Sequence, residues 1–264
     1  MAEQFRRIEL LLGKEKLRRI REGRVTVVGL GAVGSYAVEA LARSGVGYLR
    51  LVDFDVVQTT NLNRNLLALQ STVGLSKADV ARDRVKDINP QCRIEALSCF
   101  AAEENIKSLL DNEPQVLIDA IDAVNPKAQM LAAAYRRGIP IVSSMGAALR
   151  LDPRRIFAAD LMDSKGCPLA VRIRKLLRQE GVGRGIWCVY SDEGRPAESK
   201  KAVGLPEEDV YQRGRPRRQL GSLPTIPGIF GLMVAHYALD ILCGGLGDSD
   251  LTRGTKDDRS LRSL

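Results

Sequence analysis

The sequence is expected to fold as an α/β protein: a doubly wound, mostly parallel sheet with a smaller basic lobe toward the C-terminus. Three observations lead there. Residues 24–55, RVTVVGLGAVGSYAVEALARSGVGYLRLVDFD, run from an apolar strand through a glycine turn and an amphipathic helix into a second strand ending in acid. Short apolar runs and amphipathic stretches then alternate to about residue 145, as successive βα units require. Beyond residue 150 the alternation breaks, and between 150 and 218 there are 16 Lys or Arg against 10 Asp or Glu.

Residues 1–22 read as a helical arm, with Phe5, Ile8, Leu11 and Leu12 on one face and Arg6, Arg7, Lys14 and Arg18 elsewhere. In the core expected over 23–150, Val25, Val27 and Val28 suit a buried parallel strand. Gly29, Gly31 and Gly34 follow as GxGxxG. The first allows a tight turn, the second lets backbone approach a phosphate, and the third lets helix pack on strand. A phosphate placed there meets free N–H groups and the positive end of a helix. Asp53 lies 19 residues beyond Gly34, where an acid accepts hydrogen bonds from ribose hydroxyls. This Rossmann-like arrangement binds a nucleotide, with a dinucleotide as the default.

Residues 56–76 are polar and irregular, and 77–88 form an amphipathic helix stopped by Asn89-Pro90. A short strand is expected over 93–98, a helix over 103–111, and a buried strand over 116–118 that leads into Asp119-Ala120-Ile121-Asp122. A helix over 126–137 ends at Gly138, and 139–144 make another parallel strand. In the lobe expected over 151–221, residues 154–163 resemble a strand, 169–178 an arginine-rich helix, and 186–190 a strand. Residues 193–221 show no period and read as a long loop. The last unit, 222–264, carries an apolar stretch at 225–246 long enough to span a bilayer, but Pro227, His236 and Asp240 interrupt it. Because an acid within a membrane is costly, a buried helix packing on the core is expected there, with no membrane span.

A chain of 264 residues buries one large core, or one core and an appended lobe. Its net charge of +8 suits a polyanionic partner. Cys92, Cys99, Cys167, Cys188 and Cys243 are odd in number, scattered and without a CxxC pair, which argues against a disulfide framework or a structural zinc. A reducing cytoplasm fits, and the charged first twenty residues lack the apolar segment of a secretory signal.

After Asp53 come Asp55, Asn61, Arg64 and Lys77. A dinucleotide oxidoreductase has no evident need for this series. A nucleoside triphosphate does, since cations must neutralise its phosphates and an acid must hold Mg²⁺. The blocks GLGAVGSYAVEALARSGVG, LVDFD, TNLNRNLL, VGLSKADVARDRVKDINP and DAIDAV closely resemble the adenylating domain of the ubiquitin-activating-enzyme-like superfamily. The resemblance covers residues 1 to about 150 and again 221–243. It implies activation of a carboxylate with ATP to give an acyl-adenylate and pyrophosphate. Carried across, Asp53 would bind the ribose, with Asp55 beside it. Asn61, Arg64 and Lys77 would hold phosphates, and Asp122 would coordinate Mg²⁺. Arg7 would reach the site of a second subunit, implying a homodimer, although Arg6 is adjacent and competes for that role.

FRRIELLLG, VGLSKADVARDRVKDINPQCRI, DAIDAVNPKAQML and LPTIPGIFGLMVA bring the chain nearest to the branch whose members dehydrate threonylcarbamoyladenosine in tRNA. That branch implies tRNA, not DNA, as the partner. The clusters Arg172, Arg174, Lys175, Arg178 and Arg213, Arg215, Arg217, Arg218 would then meet its phosphates. Two alternatives stand beside it: an adenylating enzyme for a ubiquitin-like sulfur-carrier protein, and a dinucleotide oxidoreductase or nucleotide sensor. Relatives acting on sulfur carriers hold zinc on two CxxC pairs, which this sequence lacks. Some relatives place a cysteine near Gly221-Ser222-Leu223-Pro224-Thr225, and its absence leaves a sulfur-transfer partner in doubt.

Overall fold

The computed structural model describes residues 3–194 and 218–245, and the backbone of a short strand at Val203–Pro206. Seven strands form one sheet in the order β3-β2-β1-β4-β5-β7-β6. β1 (Arg24–Val28), β2 (Tyr48–Val52), β3 (Arg93–Leu97), β4 (Val116–Asp119), β5 (Ile141–Ser144) and β7 (Ile186–Ser191) pair in parallel. β6 (Ile156–Asp160) runs antiparallel to β7 at one edge. The order reverses between β1 and β4, and doubly wound sheets bind ligands at the carboxyl ends of the strands at such a switch point.

Helices cover both faces of the sheet, so its strands carry apolar residues on both sides. Val25 and Val27 of β1 and Leu49 and Leu51 of β2 pack into one core with α2 (Ala32–Ser44), α3 (Lys77–Ile88) and α7 (Thr225–Cys243). Val28, Val52 and Leu117 face the other core, with α4 (Glu103–Leu109), α5 (Val124–Arg136) and α6 (Pro168–Gln179). α7 is the one helix among the described residues long and apolar enough to cross a bilayer. It instead packs along α2, so closely that a Cβ on Gly231 would lie 2.5 Å from the Val33 carbonyl oxygen.

Three expectations need correction. The arm, α1 (Arg6–Glu22), is kinked at Gly13 (φ 81°, ψ 165°). The expected face is not buried as a unit: Phe5 is buried but Leu11 is 82% exposed and Leu10 beside it 78%, while Leu17 and Ile20 are buried beyond the kink. Residues 193–221 are not loop throughout, because β8 (Val203–Pro206) and β9 (Arg218–Leu220) pair as an antiparallel ribbon. The boundary expected at 150 falls between β5 and β6, two strands of the same sheet.

Candidate nucleotide site

β1 ends at Val28, and the chain turns at Gly29 with φ 92°, a conformation that L side chains rarely adopt. A Cβ there would also meet the Ala120 carbonyl oxygen at 2.6 Å. A Cβ on Gly34 would lie 1.8 Å from the Gly29 carbonyl oxygen, so α2 seats directly on the turn. Gly31, which caps the N-terminus of α2, faces open space. The turn therefore offers free amides and the positive end of a 13-residue helix to an anion.

Asp53 follows β2 and is buried. Its Oδ2 accepts from the Leu30 N–H at 2.6 Å and its Oδ1 from the Asp55 N–H at 2.8 Å. Burial pushes its pKa up, against the opposing pull of Lys77. Each oxygen keeps a second lone pair that can accept a further hydrogen bond. Lys77 begins α3, and its Nζ pairs with Asp55 Oδ2 at 2.8 Å, while the Asp55 carbonyl accepts from the Lys77 N–H at 3.0 Å. Asp55 thus acts as the tether of Lys77.

The segment carrying Asn61 and Arg64 is tied back to the same turn. Asn61 Oδ1 accepts from the Gln58 N–H at 3.2 Å, closing a short helical turn. Arg64 Nη1 donates to the Thr60 carbonyl at 2.8 Å and to Asn63 Oδ1 at 2.9 Å. Asn65, which sequence reasoning missed, is buried and donates from Nδ2 to the Leu30 carbonyl at 3.0 Å. The TNLNRN run held the signal, because a short amide side chain in an irregular segment commonly bonds nearby backbone. Asn63 Nδ2 donates to the Ser222 carbonyl at 3.1 Å, bringing the approach to α7 to the edge of the site.

At the end of β4 the chain again meets the glycine turn: the Ala120 N–H donates to the Val28 carbonyl at 2.8 Å. Asp122 lies two residues on and is exposed. Sequence reasoning also missed Asp119 and Lys127, a fully buried ion pair at 2.6 Å beneath this loop.

Gly29, Gly31, Gly34, Asp53, Asp55, Asn61, Arg64, Lys77 and Asp122 are therefore gathered where β1, β2 and β4 end. Arg7 does not join them. Phe5 packs on Gly45 at the far end of α2, and 13 helical residues rise about 20 Å.

In α6, Arg172, Lys175 and Arg178 are exposed at i, i+3, i+6 and share one face. Arg174 departs from the expected cluster: its Nη1 donates to the Ser164 carbonyl at 2.7 Å, to Ser164 Oγ and to the Leu161 carbonyl, fastening the preceding turn. Arg213, Arg215 and Arg217 lie outside the described residues, as does the side chain of Arg218. Burial pushes the Cys92 and Cys188 thiols up to about 12, away from the range of a poised nucleophile.

A mostly parallel sheet that opens at its switch point onto a glycine turn, a buried acid and tethered cations defines a nucleotide-binding α/β protein. Its further identity is equally plain: the chain belongs to the ThiF family, whose model matches residues 3–257. It is 40% identical over 245 residues to the tRNA threonylcarbamoyladenosine dehydratase of Bacillus subtilis (strain 168), covering 92% of this chain and 96% of that protein. It is 38% identical over 244 residues to the protein of the same name from Escherichia coli (strain K12), covering 87% and 89%. The structure of E. coli tRNA N6-threonylcarbamoyladenosine dehydratase, TcdA, in complex with ATP matches with a TM-score of 0.81 and 33% identity, over 92% of this chain and 94% of that one.

Proposed function

We propose that this protein uses ATP to dehydrate threonylcarbamoyladenosine in tRNA, activating its threonyl carboxylate as an acyl-adenylate. The observation that carries this reading is that Asp53 bonds the glycine turn, Lys77 is held by Asp55, and the segment carrying Asn61 and Arg64 is tied to the turn through Asn65. It stands in a chain that matches named dehydratases along about nine-tenths of its length.

Asp53 accepts the ribose hydroxyls, and the amides around Gly31 receive a phosphate. Arg64 and Lys77 neutralise the outer phosphates, so that one anion can approach another. Asp122 is the residue that would hold Mg²⁺, and one exposed carboxylate at the site fits an ion that takes its other ligands from phosphate and water. When bound, Mg²⁺ adds charge neutralisation at the phosphates. The substrate carboxylate oxygen attacks the α-phosphorus and pyrophosphate leaves. The carbamoyl group of the same nucleoside then attacks the activated carbonyl, and AMP leaves with the oxygen that dehydration removes. Ring closure within one nucleoside needs no thioester, in keeping with the raised pKa values of Cys92 and Cys188.

Two surfaces complete the reading. Arg172, Lys175 and Arg178 bind tRNA phosphates. A homodimer lets Arg7 serve the partner's site: the arm stands about 20 Å from its own glycine turn, and it shows Leu10 and Leu11 to solvent, as an unpaired interface does. We place the reaction in the cytoplasm, where its tRNA substrate is.

Incubation with ATP, Mg²⁺ and tRNA bearing threonylcarbamoyladenosine gives a nucleoside lighter by one water in a mass spectrum, and Arg64→Ala abolishes it. Absence of that product from folded protein refutes the reading. Pyrophosphate exchange that requires a protein ending in Gly-Gly would establish sulfur-carrier activation instead.

A further inference from the structure

The pair Asp119–Lys127 breaks two rules of sequence. Lys127 is the fourth residue of α5, in the first turn, where the helix dipole disfavours a cation, and its side chain is 0% exposed. Burying a charge pair is costly unless its remaining donors and acceptors are satisfied. Here they are. Lys127 Nζ meets Asp119 Oδ2 at 2.6 Å and donates to the Ile121 carbonyl at 3.0 Å. The Ser143 hydroxyl donates to Asp119 Oδ2 at 2.6 Å, and the Ile121 N–H to Asp119 Oδ1 at 3.1 Å.

Both polar groups of Ile121 are thus held from beneath, one by each partner of the pair. The same peptide lies against the glycine turn: a Cβ on Gly29 would meet the Ala120 carbonyl carbon at 2.8 Å and the Ile121 nitrogen at 3.1 Å. Asp122 is the next residue. A neutral core would fill this space as well, but it would leave the direction of the loop unset. Local rules broken at a buried, hydrogen-bonded site point to a functional constraint.

We propose that Asp119 and Lys127 are positioning residues, a buried clamp that fixes the 120–122 peptide, and with it Asp122, relative to the glycine turn. The role assigned to Asp122 rests on the functional reading above; the placement of its loop does not. Removing one partner alone strands a buried charge, so the informative variant removes both. The double variant Asp119→Leu/Lys127→Met is expected to fold, because buried pairs are commonly replaceable by apolar residues of similar volume.

Three quantities are read: the thermal midpoint, amide hydrogen exchange in the 120–123 peptide of substrate-free protein, and kcat and KM for ATP. The clamp predicts a near-native midpoint, exchange at 120–123 faster by about tenfold or more, and a kcat lowered by about tenfold or more with KM changed much less. Ser143→Ala keeps both charges and gives smaller changes in the same directions, which serves if the double variant fails to fold. Native exchange at 120–123, or a native kcat in folded double variant, overturns the proposal. Exchange is read without substrate, so a protein that dehydrates no tRNA refutes the functional reading, and native exchange refutes the clamp.

Discussion

Asp53 carries two duties through the same two oxygens. Accepting the N–H groups of Leu30 and Asp55 fixes the glycine turn against the strand beside it, and in the function proposed above the spare lone pairs take ribose. Asp53→Asn turns one acceptor into a donor that must face a backbone N–H. Calorimetry is expected to show ATP affinity weakened by tenfold or more, about 1.4 kcal/mol. A thermal melt is expected to show a stability loss of about 1–3 kcal/mol from the unsatisfied amide. The acid itself was legible in the sequence, since strand, turn and spacing announce it. Asp119 and Lys127 were not, because a lysine in a helix reads as surface until the fold buries it. Arg174 misled in the same way. Its neighbours Arg172, Lys175 and Arg178 point outward, and periodicity alone does not tell which member of an arginine-rich helix turns back to its own chain.

At the scale of elements, α6 has two faces with separable duties. Arg174→Ala removes the donor to the Leu161 and Ser164 carbonyls and is expected to lower stability by about 1–3 kcal/mol. Arg172→Ala/Lys175→Ala/Arg178→Ala is expected to leave the melt near native. It should weaken tRNA binding uniformly across sequences and reduce the salt slope by up to about three. A filter-binding titration at several salt concentrations separates these outcomes, and an unchanged slope removes α6 from the interface. The contact of α2 with α3 gives a pH signature. Burial pushes Glu39 up, but Arg84 and Arg43 outweigh it and hold its carboxyl below the ordinary glutamate value. A depressed carboxylate stabilises the fold above its unfolded-state pKa, and that stability is lost as pH falls through the folded value. Glu39→Gln should therefore cost about 0.5–1 kcal/mol near neutral pH, a difference that melts run below the glutamate range should no longer show. The parallel strands and their helices were readable because burial on both faces leaves unbroken apolar runs. The direction of β6 was not readable, since a half-buried edge strand has the same pattern either way.

For the whole molecule, the question is where the arm goes. Its helix is anchored by Leu17 and Ile20 and by Arg19 donating to the Cys243 carbonyl at 3.1 Å, while the part beyond Gly13 exposes Leu10 and Leu11. Arg7 stands beyond the kink, at the end of α2 remote from its own glycine turn. If it serves a second subunit, the defect of Arg7→Ala and the defect of Lys77→Ala reside in different chains of one site. Two-fold symmetry then makes a definite demand. In a heterodimer of the two variants, one site combines both lesions and the other combines none. Equal amounts of the two inactive variants, unfolded and refolded together, yield half heterodimers, and turnover should recover to about a quarter of wild type. An arginine acting within its own chain gives one lesion in every site, and the mixture stays as inactive as its components. Arg6→Ala in place of Arg7→Ala decides which of the two adjacent arginines makes the contact, because only loss of the residue that crosses gives a variant that is inactive alone and regains turnover with Lys77→Ala.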